Sequence, residues 1–386
     1  AQECGASAIY WNRLYEPATL VRDKAVKTAL RSDGLSVLSF NAALLHEPWT
    51  ILTQSEKPYQ VFTPFYRACQ ALGDPSRPES VRTIARPVDR PLPSLKLDDL
   101  NLLPDRPWDA GLRETWQPGE AGANTLLKRF ARAPVAGYAA ARDRPDLEGT
   151  SRLSPHLHFG EIGPRAIWWH LRASAHAADA EPFLRQLIWR EFAHHLLFHF
   201  PHTAQEPLRR EFAGFPWAPP DSRLLRRWQR GRTGFPVVDA GMRQLWKTGW
   251  MHNRVRMIAA SFLVKDLLLP WQDGARWFWD TLVDADLANN TLGWQWTAGC
   301  GADAAPYFRV FNPALQAKRY DPDGAYVKRW TPPAGQAHPL PMVDHTAARE
   351  RALQAYAVMR ASWERGKHSP IAHQPLTEPC ERQGDG

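Results

Sequence analysis

The spacing of hydrophobic positions changes along the chain. Near the start, two short apolar runs, Ser7 to Trp11 and Ser36 to Phe40, flank a charged stretch from Glu16 to Arg31 in which Leu20, Val21, Val26 and Leu30 recur at helical spacing. That reads as strand, helix, strand. A unit of this size cannot cover both faces of a parallel sheet, so residues 1–72 are expected to form part of an α/β domain. From Gly73 to Asp109 prolines recur (Pro75, Pro78, Pro87, Pro91, Pro93, Pro104 and Pro107), which predicts an extended linker over residues 73–120. Beyond it, helical spacing dominates in Pro164 to Leu171, Pro182 to His199, Phe235 to Trp250, Arg254 to Leu269 and Gly274 to Leu282. Residues 121–335 are therefore expected to be a mainly α-helical domain. Residues 336–386 read as a C-terminal extension, partly disordered and frayed at its end. No internal period argues for a solenoid.

Composition adds an aromatic ligand to this picture. Eighteen Trp against nine Tyr is a surplus of the largest ring, suited to packing, to stacking on flat molecules, or to both. Charge adds a polyanion. The chain carries a net +8, and between Glu206 and Arg256 the basic residues Arg209, Arg210, Arg223, Arg226, Arg227, Arg230, Arg232, Arg243, Lys247, Arg254 and Arg256 face only Glu206, Glu211, Asp221 and Asp239. Such a block is either a solvated face or a surface for nucleic acid. The four cysteines, Cys4, Cys69, Cys300 and Cys380, lack metal-binding spacing, so neither a zinc site nor a disulfide framework is expected. No apolar run is long enough to cross a bilayer, and the first residues do not read as a secretory leader, so a cytoplasmic protein away from membranes is expected.

Several segments carry candidate chemistry. Residues Gly149 to Arg165 place the hydroxyls of Thr150, Ser151 and Ser154 ahead of a helix, an arrangement that suits an anion and equally a plain N-cap. Neither GxGxxG nor a Walker A loop is present, so a dinucleotide would not be held in the Rossmann manner. Leu187-Ile-Trp-Arg-Glu-Phe192 sets an indole beside Arg190 and Glu191, which could be a structural pair. In Trp250-Met-His-Asn-Arg-Val-Arg-Met257, an amide, a guanidinium and a thioether at Asn253, Arg256 and Met257 fall within about one helical turn. The segment Asp284 to Trp296 combines two carboxylates, two amides and two indoles. Burying Asp284, Asp286, Asn289 and Asn290 unpaired would cost about 1–3 kcal/mol each, so they should meet something polar. Metal ligation is weakly supported without His or a regular loop spacing; a heteroaromatic ring with several hydrogen-bonding edges fits better.

Taken together, Glu148-Gly-Thr-Ser-Arg-Leu-Ser-Pro155, Trp189-Arg-Glu-Phe192, Thr233-Gly-Phe-Pro-Val-Val-Asp-Ala240, Gly249-Trp-Met-His-Asn-Arg254, Asp284 to Trp296, and Phe308-Arg-Val-Phe-Asn-Pro313 resemble, in order, the DNA photolyase/cryptochrome family. The pattern is closest to class I cyclobutane pyrimidine dimer photolyases, entered part-way through their α/β domain. The resemblance implies a partial Rossmann-like α/β antenna domain followed by a mainly α-helical FAD-binding domain. It also implies light-driven repair of pyrimidine dimers in DNA by a monomer of bacterial, cytoplasmic type. FAD, active when reduced, would be the cofactor, and a folate or deazaflavin antenna chromophore could accompany it.

By that resemblance, Tyr138 and the loop Thr150, Ser151, Arg152, Leu153 and Ser154 would cradle the FAD diphosphate, with Arg190 close by. Asn290 would face flavin N5, while Asp284, paired with Arg256, and Asp286 would address the rest of the ring and the ribityl chain. Trp294, Trp271 and Trp217 would relay an electron to oxidised flavin. Trp189, Trp296, Asn253 and Met257 would surround a flipped-out dimer, and Arg142, Arg254 and Arg309 would lie near the DNA strand. Gln186 departs from the pattern, standing where dimer photolyases generally carry a Glu. Two rivals remain: a cryptochrome photoreceptor, and a helical nucleic-acid-binding protein without catalysis.

Overall fold

The computed structural model describes residues 1, 3–79, 93–304, 309–331 and 339–367. Strands β1 (Ala8–Asn12) and β2 (Ser36–Phe40) pair in parallel, Ala8 opposite Ser36 and Asn12 opposite Phe40. Helix α1 (Pro17–Ser32) crosses between them. This is the expected strand, helix, strand unit. Its helix buries no residue, and the sheet leaves Tyr10 61% and Phe40 50% exposed, so the unit holds together largely through its backbone ladder. Its anchor to the rest of the molecule is α2 (Phe62–Ala71). Phe62, Phe65 and Cys69 recur at helical spacing and are buried against α8 (Glu181–His199).

Between these regions the Pro-rich segment is less extended than expected. A 3-10 turn spans Leu97–Leu100, α3 covers Ala110–Thr115, and α4 (Glu120–Arg132) begins at residue 120. Helix α3 forms because it has somewhere to pack: Gly111 lies so close to the Lys247 carbonyl that a Cβ there would sit 2.1 Å from it. The part of the expected linker at residues 80–92, with Pro87 and Pro91, lies outside the described residues.

The helical region continues with α5 (Tyr138–Ala141), α6 (Ser154–His158), α7 (Pro164–Arg172) and α8, then α9 (Ser222–Gln229) and α10 (Pro236–Thr248). It closes with α11 (Asn253–Ser261), α12 (Trp271–Thr281), α13 (Leu287–Ala298), α14 (Pro313–Tyr320), α15 (Ala325–Arg329) and α16 (His345–Lys367). The helix expected from Arg254 to Leu269 stops being α at Ser261. A π-helical turn, Phe262–Asp266, follows, and Leu268 takes a left-handed φ of 57°. A wider turn re-phases the buried face between α11 and α12. Helix α12 begins a few residues before the expected Gly274, at Trp271.

Residues after Thr331 hold more structure than expected. Helix α16 docks on the π turn, where His345 pairs with Asp266 at 2.5 Å and Arg351 donates to the Asp266 carbonyl at 2.5 Å. The frayed end expected beyond it lies outside the described residues, as do Cys380 and Phe308.

The apolar core sits in two blocks. One gathers Trp228, Trp271, Phe262, Phe278 and Trp294 around α10 to α13; the other gathers Phe62, Phe65, Phe130, Phe183 and Phe192 around α2, α4 and α8. Helix α8 is buried on nearly every side in its second half, and α13 packs directly on it. Functional side chains of these two helices therefore face protein on all sides.

Candidate functional site

The segment from Asp284 to Trp296 resolves into a turn and α13, and its polar groups have separate partners. Asp284 is buried; one carboxylate oxygen accepts from Arg256 Nη2 at 2.8 Å, and the other, Oδ1, is buried without a partner. Arg256 is fixed in turn by donating Nε to the Met251 carbonyl at 2.7 Å. Asp286 caps α13, accepting from the Asn289 backbone N at 2.8 Å and from Asn289 Nδ2 at 2.7 Å. Its second oxygen lies 3.3 Å from His194 Nε2. Burial opposes the ionised carboxyl of Asp286, but His194, Arg190 and the cap together hold its pKa far below the usual carboxylate range.

Asn290, one turn into α13, donates Nδ2 to the Ala275 carbonyl at 3.0 Å, which commits its nitrogen to protein and leaves its carbonyl oxygen available. Trp294 is buried with an unpartnered indole N–H. Its ring fills the space beside Gly274, where a Cβ would lie 2.0 Å from the ring. Phe278 and Trp228 surround it at ring-centre distances of 5.0 and 6.2 Å. Trp271 is also buried, while Trp217 is half-buried and packs against Phe215 at 4.4 Å. The three expected relay indoles thus share one apolar block. Trp296, on the same helix, is half-buried and lines a small cavity with Lys265, Arg309 and Phe311.

The loop ahead of α6 is built as an expected cradle only in part. Tyr138 and Leu153 are buried, Thr150 and Ser151 are half-buried, and the Ser151 hydroxyl accepts from the Leu153 N–H at 3.3 Å. Arg152 takes a left-handed φ of 54°, with its guanidinium over Trp250 at 5.1 Å. Ser154 is exposed and opens a five-residue helix, too short to add much dipole, so any anion there would depend on the loop's own donors.

On α8, Arg190 donates to the Ala43 carbonyl at 2.5 Å, tying the helix to the N-terminal unit. Trp189 lies flat on Phe62, with ring centres 3.6 Å apart and planes within 7°, so one face of this indole is covered by protein. Gln186 accepts from Arg142 Nη2 at 3.1 Å. Arg254 pairs with Asp143 at 2.9 Å and lies over Tyr320, while Arg309 and Arg254 line a cleft of about 440 Å³ with Arg319 and Arg349. Asn253 is exposed beside Met257, its Nδ2 3.9 Å from the thioether sulfur.

Several residues at the site were not singled out from the sequence. His194, four residues after Arg190 and so on the same face of α8, was the one with a readable signal. His252 is the N-cap of α11, accepting the Arg254 N–H on Nδ1 at 3.2 Å. Its buried Nε2 is unpartnered, and burial pushes its pKa down to about 4. Glu16, from the N-terminal unit, faces Asp286, His158 and His194, and burial raises its pKa. The motif Thr233 to Ala240 proves structural, since Asp239 accepts from the backbone and hydroxyl of Thr233 and from the Gly234 N–H, fixing the start of α10.

The arrangement is a pocket floor with buried, unpaired polar atoms on α11 and α13, ringed by indoles and topped by guanidinium groups. That is the layout of a flavoprotein that handles nucleic acid. A family model described as DNA photolyase matches residues 1–83, and one described as the FAD binding domain of DNA photolyase matches residues 183–336. The chain is 46% identical over 389 residues to a deoxyribodipyrimidine photo-lyase of Agrobacterium fabrum, covering 93% of this chain and 81% of the relative. It is 37% identical over 385 residues to Cryptochrome-1 of Arabidopsis thaliana, covering 95% of this chain and 55% of that one. A solved bacterial class III photolyase from Agrobacterium tumefaciens superposes with a TM-score of 0.88 at 45% identity, over 93% of this chain and 81% of that one. An archaeal photolyase from Sulfolobus tokodaii, solved with two FAD molecules, superposes with a TM-score of 0.76 at 29% identity, over 92% and 79% of the two chains. The chain belongs to the DNA photolyase family and carries its FAD-binding domain. Within the family this solved neighbour is of class III, whereas the motifs alone pointed to class I.

Among the described residues no helix is long and apolar enough to cross a membrane, and no group of three or more His, Cys, Asp or Glu side chains could hold a metal ion.

Proposed function

We propose that the protein is a light-driven lyase that splits cyclobutane pyrimidine dimers in DNA. The observation that carries this reading is the set of buried polar atoms left open on one floor: Asp284 Oδ1, His252 Nε2, the Trp294 N–H and the Asn290 carbonyl oxygen. A flavin ring offers matching donors and acceptors along its edges. When bound and reduced, FAD supplies on illumination the electron that opens the cyclobutane ring and takes it back, with no net redox change.

Each residue then has a task. Arg256 keeps Asp284 ionised and aimed, so its open oxygen can accept from a ring N–H. Asn290, with its nitrogen held by the Ala275 carbonyl, can accept from a ring nitrogen that bears hydrogen, which favours the reduced flavin. Tyr138, Thr150, Ser151, Arg152, Leu153 and Ser154 line the diphosphate side, with Asp286 and Arg190 behind. Trp296, the free face of Trp189, Asn253, Met257 and Gln186 receive the extruded dimer, since a stacked lesion is out of reach of the pocket. Arg142, Arg254 and Arg309 hold the strand, giving a salt-dependent and sequence-tolerant grip. Trp217, Trp271 and Trp294 resupply an electron when the flavin is oxidised. The reading includes a monomer acting on bacterial DNA in the cytoplasm, and a division into an α/β unit (1–72), a connecting segment (73–120), a helical catalytic region (121–335) and a C-terminal extension (336–386).

The test is illumination of the reduced protein with a dimer-containing oligonucleotide, scoring restored pyrimidines. Repair in light but not in darkness is expected; equal outcomes overturn the lyase reading in favour of a photoreceptor. For the relay, Trp271→Phe should slow photoreduction while leaving repair by pre-reduced protein nearly unchanged, and equal loss of both would remove Trp271 from that role.

A further inference from the structure

Gln186 lies one turn before Trp189 on α8, at the mouth of the proposed lesion pocket, and its amide is not free to turn. Arg142 Nη2 donates to Gln186 Oε1 at 3.1 Å, and the amide nitrogen points away, making a long contact of 3.3 Å to the Pro182 carbonyl. Rotating the amide would set its N–H₂ against the guanidinium, two donors face to face. Arg142 is therefore what decides which end of Gln186 is exposed to a ligand.

The charges around Arg142 sharpen this. The neighbouring acid Asp143 is engaged by Arg254 at 2.9 Å, and Asp146 by Arg144 at 2.5 Å. Among the described residues no carboxylate pairs with Arg142; its other contact is the ring of Tyr138, 5.7 Å away. With its only acceptor atom consumed by Arg142, the Gln186 side chain has N–H groups alone to offer. A carboxylate at position 186 would reverse this, accepting on both oxygens and neutralising Arg142.

We infer that Gln186, oriented by Arg142, is a specificity-determining residue that favours dimers of cytosine over dimers of thymine or uracil. The inference rests on the lyase reading of the same site. Thymine and uracil present an N–H at ring position 3 and need an acceptor there, whereas cytosine presents a lone pair at that position and matches a donor. Carbonyl oxygens, common to all three, are served either way. The difference between the bases is thus read at one ring atom, where a mismatch leaves a donor facing a donor.

Dark equilibrium binding of short duplexes carrying one defined CC, TT or UU cyclobutane dimer tests this, each measured against its undamaged counterpart. The full chain is compared with Gln186→Glu and Arg142→Met. The ratio of CC to TT affinity should fall about tenfold in Gln186→Glu, the size of one well-placed hydrogen bond exchanged for a mismatch. UU should follow TT, because the methyl group plays no part. Arg142→Met should shift the ratio in the same direction by less, since the freed amide can turn its oxygen to the ligand. An unchanged ratio in both variants, with dimers still bound over undamaged DNA, overturns the inference and leaves the lyase reading intact. Failure of the unmodified protein to prefer any dimer overturns the lyase reading instead.

Discussion

The N-terminal unit and the α8–α13 pair follow the same local rules but differ in what their side chains meet. In the first, β1, α1 and β2 form where the alternation and helical spacing say they should, yet α1 buries nothing and Tyr10, Leu38 and Phe40 face outward. In the second, helices surround helices, and even charged groups such as Glu191 and Asp284 are buried. Correct local pattern is therefore not the same as stabilising burial. The free energy of this protein is concentrated where α8, α11, α12 and α13 meet, and the site is placed in that region because a pocket of open polar atoms needs rigid surroundings to keep it from collapsing.

The largest expected effect is on the buried pair. Asp284→Ala leaves Arg256 without its carboxylate partner and should lower stability by about 3–5 kcal/mol, as loss of one member of a buried ion pair generally does. It should also release flavin, which denaturant unfolding and flavin absorbance after gel filtration would show. If stability hardly changes, the comparison between the regions fails, since the pair would then be no better buried than a surface one.

Next comes the seam between the regions. His195 donates Nδ1–H to the Pro48 carbonyl at 3.2 Å and accepts the Tyr59 N–H on Nε2 at 3.0 Å, so the neutral ring clamps residues 48–59 to α8. Burial, with His199 adding to it, pushes its pKa down to about 3. The folded-state pKa lies below the unfolded value, so the stability it contributes is present above about pH 6.5 and is lost as pH falls toward the folded pKa, at a rate of up to about 1.4 kcal/mol per pH unit. His252 acts in the same direction. Unfolding measured from pH 7 to pH 4 should show this loss, and His195→Gln should flatten part of it. An unaltered pH profile in that variant would remove His195 from the seam.

A smaller effect is expected at Gly274, where overpacking against Trp294 should cost about 1–3 kcal/mol in Gly274→Ala and slow photoreduction by shifting the indole. The smallest is in the open sheet: Tyr10→Ser should change stability by less than about 0.5 kcal/mol, as for an exposed site. A loss comparable to that of Gly274→Ala would mean that the face of β1 is covered in solution, and it would redraw the contrast between the two regions.

How much of this was legible in advance depends on how local the cause is. Strand and helix periods, the Asp286 cap with Asn289 three residues on, and the cluster from Asp284 to Trp296 are short-range patterns, and they placed the helical region and the polar floor directly from the amino-acid order. The π turn at Phe262–Asp266 was hidden, because its period departs from 3.6 by too little over five residues to show in the pattern. Helices α3 and α16 were missed because their own signals are weak beside the prolines, and they are held by packing on α10 and on the π turn. The ordering of the site was likewise beyond the sequence. That Arg142 would orient Gln186, that Phe62 would cover one face of Trp189, and that Glu16 would reach Asp286 all join residues more than forty positions apart. The chain alone determined which chemical groups are present and on which helical turn. Only the tertiary structure decided which of their atoms are already satisfied and which are left open to a ligand, because hydrogen-bond satisfaction is a property of distant neighbours in space.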